Sequence, residues 1–495
     1  MKNSIKIFIL FVFTTFTVNA QNDTIKLKEV IVSGNRISLP ISEDSKTVYI
    51  IGSDKILKNP TTNLADLLQT VAGVDVRRRG VDGMQSDLFI RGGNFDQTLL
   101  LIDGVKMDDA QTGHHTMNAI LSLDNIDRVE IVKGPASRVY GQNAFAGAIN
   151  IVTKKVTESA LNVKFGYGSY ENKKASIGFQ QKLNDDASIL AHVEKQKSDG
   201  YRKNSDFDNT AVFLKSQIKN YSLITSFNDR KFGAENFYTS NPNFTEYEET
   251  QNSLVALASK YNFQNLTIKP RVYWRRNQDM FLLKREDPSF YRNFHISNKV
   301  GVETNMVYTS RFGKTGFGID VSKVYLSSNN LGYRDRLVFN SFFEHRFDNM
   351  KKFDVTFGAA ISSYSDFKTQ FLPGLDIGYD ITNDFKIFGN IGYTYRVPTY
   401  TDLYYSDPGN EGNHDLQPES AISEEIGIKY LTDAFNFTFS LFNRNSSNLI
   451  DWTRNSSTEK WKTQNFSNVE TRGFETSINY IFKFSQTIYN CQQEN

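Results

Sequence analysis

Cysteine and long apolar runs are both scarce in this chain. Its 495 residues include a single cysteine, Cys491, which excludes an intrachain disulfide framework and a metal site built from cysteines. A mean hydropathy of −0.45 is too low for a bundle of membrane-spanning helices. The formal net charge is only +2, which argues against a basic nucleic-acid-binding surface and against a strongly acidic tail.

The local signatures of common enzyme chemistry are also missing. The sequence contains no G-x-S-x-G, no H-E-x-x-H and no G-x-x-x-x-G-K-[ST]. Nucleophilic, zinc-hydrolase and nucleotide chemistry therefore lack their usual motifs. We expect a protein that is not an enzyme.

The first residues predict a secretory signal peptide over residues 1–20. Lys2 and Lys6 lead into an apolar run at residues 7–16, and Ala20 ends a small-residue cleavage site. The alternative is a membrane anchor, but the run is shorter than the ~20 residues that a spanning helix needs. We expect an exported mature protein that begins at residue 21.

Alternating apolar and polar residues dominate the chain beyond residue 155. Leu161, Val163, Phe165 and Tyr167 are separated by small or polar residues, and the same period recurs in several later segments. The chain also contains 39 Phe and 24 Tyr. Transmembrane β-strands have this composition because one face meets lipid and the other meets water. A single such strand fits a soluble β-sandwich equally well, but the series favours a membrane β-barrel over residues 156–484.

The links between these segments are of two kinds. Short polar links, such as residues 184–186 and 382–384, are typical of periplasmic turns. Longer links rich in Asn, Asp, Pro, Tyr and Trp predict extracellular loops. These are residues 236–249, 284–293, 400–418 and 452–464.

Residues 88–154 have a different pattern, in which apolar runs are short and turn residues are frequent. Short apolar runs at residues 99–102 and 129–132 are bounded by Asp103-Gly104 and Gly134-Pro135. Such runs predict small strands joined by tight turns. On physical grounds alone, the segment indicates a small α/β domain.

Four motifs in this segment follow one another in a fixed order: IRGG, LLLIDGV, RVEIVKGPASRVYG and NAFAGAINIVTKK. In that order they resemble the plug of TonB-dependent outer-membrane receptors. Further along, YRVP at residues 395–398, DLY at 402–404, LQPE at 416–419 and TRGFE at 471–475 resemble the barrel motifs of the same family. The resemblance implies an antiparallel membrane β-barrel with an N-terminal α/β plug in its lumen.

The resemblance divides the chain into an extension at residues 21–34, a plug at 35–155 and a barrel at 156–484. About 16 strand candidates are present, whereas large plugged barrels have about 22. A polar tail follows at residues 485–495. This departure predicts a C-terminal truncation or an incomplete sequence, and a barrel that does not close.

The implied function is import of a scarce, large nutrient with proton-motive-force energy that a TonB protein transmits to the plug. An alternating segment in the extension is the candidate TonB box, because it could add as a strand to the partner's sheet. The alternative is an ordinary first strand of the plug. The candidate residues are Leu27, Lys28, Glu29, Val30, Ile31 and Val32.

The resemblance also suggests a lock between plug and barrel. Arg91 of IRGG and Lys133 of the VKGP segment are plug cations, and Glu475 of TRGFE is a candidate partner on the barrel wall. Buried charges need partners, so such pairs could hold the plug and still break under force. The alternative is a set of independent charges hydrated by water.

Ligand contacts are expected at the plug apex, between the LLLIDGV and RVEIV segments. The candidates are Gln111, His114, His115 and Asn118. Imidazoles can contact a metal centre or the edge of a corrin or porphyrin ring. Adjacent side chains on a strand point in different directions, which favours polar contacts over bidentate metal ligation.

The sequence around QTGHH at residues 111–115 is similar to that of cobalamin-receptor-like members of the family from Bacteroidetes-type bacteria. Cobalamin is therefore the favoured substrate, and an iron-siderophore or haem is the alternative. A truncated remnant that binds a ligand without transport is a third reading, and a passive porin is disfavoured because a plug blocks diffusion.

One loop carries several hard oxygen ligands. Asp199, Asp206 and Asp208 suit calcium better than a transition metal, although their spacing matches no recognised calcium loop. A solvated acidic loop is the alternative. Apart from calcium, we expect no cofactor. Outer-membrane lipid and a capping surface lipoprotein are the remaining partners that the resemblance suggests, and no nucleic acid is expected.

Overall fold

The computed structural model describes residues 31–32, 37–80, 84–118 and 121–480. The predicted signal peptide, residues 27–30 of the candidate TonB box and the polar tail lie outside these residues. No helix in the described ranges is long and apolar enough to cross a membrane.

The N-terminal part is a small mixed domain, which we call the plug. Its main sheet has five strands in the order β3-β8-β9-β6-β7, and β1-β2 and β4-β5 form two smaller pairs. The strands are β1 Ile31–Val32, β2 Leu39–Pro40, β3 Val48–Gly52, β4 Val74–Arg79, β5 Gln85–Ile90, β6 Thr98–Ile102, β7 Val105–Lys106, β8 Ile126–Lys133 and β9 Gly147–Thr153. The helices are α1 Ser53–Lys58, α2 Leu64–Gln69 and α3 Ser137–Tyr140, with 3-10 turns at Phe95–Gln97, Gly113–Asn118 and Leu123–Asn125.

The plug core follows from its apolar runs. The LLLI run forms β6 and the VEIV run lies within β8, as the sequence predicts. Leu64, Leu67 and Leu68 on α2 are completely buried against this sheet. Asn63 caps α2, because its side chain accepts a hydrogen bond from the backbone N–H of Asp66.

The rest of the described chain forms one sheet of eighteen strands, which we call the wall; it is antiparallel except for the two-residue strand β24, which pairs in parallel with β27. Two of these strands have only two residues each, so sixteen are long, in agreement with the sequence-based expectation. In the described residues no pairing joins the first wall strand to the last, and the sheet is open there. The strands are β10 Ala160–Gly168, β11 Asn172–Lys182, β12 Ala187–Ser198, β13 Phe207–Ile218, β14 Tyr221–Gly233, β15 Tyr247–Ser259, β16 Tyr261–Asn262, β17 Leu266–Leu282, β18 Arg292–Ser310, β19 Gly313–Ser328, β20 Gly332–Met350, β21 Phe353–Tyr364, β22 Gln370–Asp380, β23 Phe385–Arg396, β24 Asn410–Glu411, β25 Glu419–Leu431, β26 Phe435–Thr453 and β27 Trp461–Tyr480.

The wall is apolar outside and polar inside. On β18, Lys299 and Glu303 face inward and are buried, whereas Val302 faces outward and is 54% exposed. Val302 pairs with outward-facing Val272 and Val321 on the adjacent strands. A soluble β-sandwich would bury its apolar face, so this arrangement excludes that alternative and is typical of strands that meet lipid.

The plug meets the wall in two chemically different ways. On β12–β17, apolar wall side chains join the same buried cluster as the plug core. They are Leu190, Phe213, Ile224, Leu254, Ala256 and Tyr273. On later strands, wall carboxylates and cations pair with plug charges. Ion pairs also reach the plug from the earlier strands, as between Lys215 and Asp103 and between Asp279 and His115. Strands β12–β17 therefore combine apolar contact with ion pairs, whereas the later strands hold the plug by ion pairs.

Long links lie at one end of the wall, since antiparallel strands return alternately to each end. They span residues 234–246, 283–291, 397–418 and 454–460. The first three begin one to three residues before the sequence-based loops, whereas the first, second and fourth end two to four residues earlier because strand pairing continues into them. The loop expected at residues 400–418 also contains a short helix, α4 Tyr400–Tyr404. A capping box between Thr399 and Asp402 starts this helix.

Because the outer face of the wall is apolar, a charged side chain placed on that face should destabilise the protein. Val302→Arg should destabilise the protein in lipid vesicles by about 2–4 kcal/mol, because the guanidinium would replace a methyl group in the apolar band. Urea unfolding in vesicles measures this loss. Asp415→Arg, at a side chain that is 82% exposed in a long link, is the control and should change stability little. Equal effects of the two substitutions would contradict a lipid-facing β18.

Candidate gating and ligand site

Arg91 lies at the centre of the seam between plug and wall. One of its terminal nitrogens is 2.7 Å from Glu425 Oε1 and 3.0 Å from Glu475 Oε2. The same guanidinium lies 4.4 Å from the ring centre of Phe442, a cation–π distance. Burial opposes the charge, but Glu425 and Glu475 outweigh it and raise the pKa of Arg91. Arg91 also has a backbone φ of 47°, a strained conformation that the surrounding contacts must hold in place.

Glu475 reaches into the plug and meets a second cation there. Lys133 Nζ is 3.0 Å from Glu475 Oε2, and both side chains are largely buried. A Cβ atom at Gly73 would clash with Glu475 Oε1, and Gly73 has a φ of +72°. Glycine is favoured at this position, because the backbone conformation and the close carboxylate both disfavour a side chain. The structure thus brings Arg91, Lys133 and Glu475 together.

Sequence reasoning missed the most buried member of this group. Glu425 has a fully buried side chain, and besides Arg91 it accepts hydrogen bonds from Thr47 and Asn390. It lies on β25 in no motif that singled it out. Its only sequence signal is a position on the inward face of a strand, which it shares with many other polar residues.

Further ion pairs extend the charged seam along the plug, and sequence reasoning missed these as well. They are Arg138–Asp376 at 2.5 Å, Lys46–Asp376 at 3.3 Å, Lys106–Asp320 at 2.9 Å and Asp108–Lys299 at 2.7 Å. Each pair joins a plug residue to a wall residue. Burial penalises the charge of Asp108, yet Lys299 and Arg275 outweigh this penalty and lower its pKa well below the usual range.

His114 is the most accessible of the four predicted apex residues. Its side chain is 26% exposed, stacks on Phe95 with ring centres 4.0 Å apart, and lies with Nδ1 2.7 Å from Asp87 Oδ1. The two histidines lie in a 3-10 turn, not on a strand. One ring edge of His114 therefore remains free for a ligand.

The other three apex residues are buried among protein partners. His115 lies 2.8 Å from Asn118 and 3.4 Å from Asp279, and Asn118 accepts a hydrogen bond from Arg230. Burial disfavours the charged imidazole, but the Asp279 carboxylate outweighs this and raises the pKa of His115 to about 9. Asn118 and Asp279 thus occupy both ring nitrogens of His115, which leaves neither available to a metal. Gln111 is 5% exposed and accepts a backbone hydrogen bond from Thr401.

The predicted calcium ligands do not assemble into a metal site. Asp206 makes a two-point ion pair with Arg285 at 2.7 and 2.9 Å, and Asp208 pairs with Lys195. Asp199 is exposed at the start of the loop. Among the described residues, no group of three or more His, Cys, Asp or Glu side chains could hold a metal ion. Arg285 and Lys195 therefore pair with two of the three carboxylates that were expected to bind calcium.

Two residues of the candidate TonB box lie within the described ranges. Ile31 and Val32 form β1 and pair with Pro40 and Leu39. Val32 is completely buried against Val48 and Val132. This end of the candidate box is therefore part of the plug, while residues 27–30 lie outside the described residues.

A cavity of about 90 Å³ lies between α2 and the wall strands β11–β14. Its lining is mixed and includes Met84, Leu121, Ser122 and Asn228. Ligand pockets for drug-sized molecules are typically about 300–1,000 Å³, so this cavity is too small for such a molecule.

Two family models match the chain. "TonB dependent receptor-like, beta-barrel" matches residues 135–491, and "TonB-dependent Receptor Plug Domain" matches residues 40–148. The two matched ranges overlap at residues 135–148, within the plug of the structure.

Curated relatives include two vitamin B12 transporters named BtuB. The protein from Vibrio vulnificus is 25% identical over 456 residues, which cover 87% of this chain and 71% of the relative. The protein from Vibrio cholerae is 24% identical over 497 residues, which cover 93% of this chain and 77% of the relative.

Solved structures with the same fold include two siderophore receptors from Pseudomonas aeruginosa. The siderophore receptor PirA aligns with a TM-score of 0.70 and 17% identity, over 87% of this chain and 81% of its own. The pyoverdine receptor FpvA, bound to pyoverdine, aligns with a TM-score of 0.74 and 15% identity, over 91% of this chain and 77% of its own.

The charged seam predicts a large effect of one carboxylate. Glu475→Gln removes the charge that pairs with Arg91 and Lys133 and should weaken plug docking by about 3–5 kcal/mol, because buried cations lose their partner. Hydrogen exchange of plug peptides measures this loss. Glu470→Gln, on the same strand, breaks only an exposed pair with Arg472 and should cost less than about 1 kcal/mol. Similar losses in both variants would show that the seam contributes no docking energy.

Proposed function

The chain belongs to the family of TonB-dependent receptors, outer-membrane transporters and receptors that are not enzymes, and on this premise we propose that it imports a scarce, large nutrient, with cobalamin as the favoured substrate. Members of this family bind a small-molecule substrate and TonB. The proposed import uses proton-motive-force energy that TonB transmits to the plug through the segment at residues 27–32.

The charged seam supports a plug that moves. Buried ion pairs contribute little net stability, because desolvation offsets most of their attraction, yet they fix one geometry. Once water enters the seam, Arg91, Lys133 and Glu475 can each be hydrated at small cost. We infer that pulling on the N-terminal side of the plug, where β1 pairs with β2, opens this seam.

Cobalamin is favoured over an iron-siderophore because of sequence similarity along the chain. The vitamin B12 transporters match 87–93% of it at 24–25% identity. The siderophore receptors align at 15–17% identity, a likeness of fold alone. An iron-siderophore or haem remains the alternative substrate, and a surface lipoprotein that caps the long-link end is a further proposed partner.

Substrate identity is tested by equilibrium binding of the purified protein to cyanocobalamin, haem and ferric siderophores. We expect cyanocobalamin to bind tightest and His114→Ala to weaken it about tenfold, or about 1.4 kcal/mol, because the free imidazole edge contributes a contact. His345→Ala is the matched control, because His345 contacts Thr315 and Phe312 at the short-link end. Tighter binding of a siderophore would replace the cobalamin proposal, while loss in both histidine variants would remove His114 from the site.

Energy coupling is tested by replacing residues 27–30 with Gly and Ser. Ile31 and Val32 are kept, because Val32 is buried in the plug and its loss would disturb folding. We expect uptake of labelled substrate by cells to be abolished while binding to the purified variant stays unchanged, since the box acts on the plug and not on the ligand. The same replacement at residues 22–25 should leave uptake intact. Normal uptake after replacement of residues 27–30 would place the TonB contact elsewhere.

A further inference from the structure

The link at residues 397–418 folds back into the lumen and lies on the plug. We call it the strap. Tyr400 N donates a hydrogen bond of 2.7 Å to Ala110 O, and Thr401 N donates one of 3.0 Å to Gln111 O. The first N–H groups of a helix have no partner inside the helix. The plug apex therefore satisfies two backbone donors at the start of α4.

Charged side chains join the strap, the wall and the plug beside these bonds. Arg396, which is 1% exposed, donates two hydrogen bonds of 2.9 Å to Glu419 and one of 3.1 Å to Asp402 on α4. From the plug, Gln97 Nε2 donates to Glu419 at 2.8 Å and Asp96 lies 3.7 Å from Arg396. Three motifs of the sequence, YRVP, DLY and LQPE, thus meet in one cluster.

This cluster contains more carboxylates than cations. Asp96, Asp402 and Glu419 surround the single guanidinium of Arg396. Burial raises the pKa of Asp96 to about 6, against the opposing effect of Arg396. A cluster so short of positive charge tolerates little further negative charge from the plug.

Apolar packing completes the contact. Tyr400, Leu403 and Leu416 of the strap are buried in one cluster with Val324, Leu326, Leu331 and Ile450 of the wall and its links. Ala110 of the plug packs against the same cluster. The strap covers Gln111, which is why this predicted apex residue is buried.

We propose that Arg396 and Glu419 are positioning residues that hold the strap over the lumen only while the plug apex is in place. The inference rests on the proposed function in one respect, namely that the plug moves during import. When the apex leaves, α4 loses two backbone acceptors and the cluster loses Gln97. The strap then keeps only its contacts with the wall, among them the pairing of β24 with β27, and Gln111 is uncovered. Plug position is thereby transmitted to the long-link end of the barrel.

The experiment measures the position of the strap without ligand or transport. Nitroxide labels at His414→Cys on the strap and Tyr333→Cys on the wall report their separation by double electron–electron resonance, in a Cys491→Ser background. Both positions are suitable because the His414 side chain is 77% exposed and Tyr333 is 86% exposed. The labelled protein without further substitution should give one narrow distance distribution.

A change on the plug alone should release the strap. Gln97→Glu keeps the shape of the side chain but places a second carboxylate where the amide donated to Glu419, 2.8 Å away. We expect a population of longer distances to replace part of the narrow peak.

The matched control is Gln69→Glu, the same substitution on α2, where the side-chain oxygen accepts a hydrogen bond from Val76 N within the plug. It should leave the distance unchanged. The proposal is overturned if Gln97→Glu leaves the narrow peak intact or if Gln69→Glu shifts it equally. These readouts do not depend on substrate or uptake, so a failure of the strap proposal is distinct from a failure of the proposed function.

Discussion

Pairing of charges across the seam between plug and wall is the interaction on which the rest of this structure depends. A wall that turns valine and phenylalanine outward has only polar residues left for most of its lumen, and a plug must fit that polar surface. Buried charges are tolerated only where partners meet them at hydrogen-bond distance. Arg91 and Glu425, 334 residues apart in the chain, fulfil this requirement at 2.7 Å. Such pairs therefore fix the position of the plug relative to the wall.

The apolar patch on β12–β17 makes the contact between plug and wall uneven around the lumen. Leu254 and Phe213 of the wall share a dry cluster with the plug core, and separating them exposes apolar surface to water. Ion pairs such as Arg91–Glu425, on strands outside this patch, would instead exchange their partners for water. Separation of plug and wall would therefore be opposed more strongly at the apolar patch than at these ion pairs.

Much of the fold can be predicted from short-range sequence patterns. The period of two along Leu161, Val163 and Phe165 shows which face of β10 is apolar, and the runs in β6 and β8 are bounded by turn residues that can be recognised locally. The partner of a lumen charge is not local information. Glu425 is as polar as its inward-facing neighbours, and only the register of distant strands selects it for Arg91. For the same reason α4 was missed, since its start depends on a capping box inside a segment with the composition of a loop.

The hydrogen bonds from Tyr400 and Thr401 to the plug involve backbone atoms only. Any residue except proline supplies the same N–H, and any residue supplies the same carbonyl. Side chains at residues 111 and 401 can therefore diverge without loss of these two hydrogen bonds, whereas Tyr400 and Ala110 also pack in the apolar cluster. A receptor built in this way can acquire a new ligand preference at its mouth through ordinary substitution and still keep the link between mouth and plug. Alignments of related chains would show variable positions at the very place where the two domains touch.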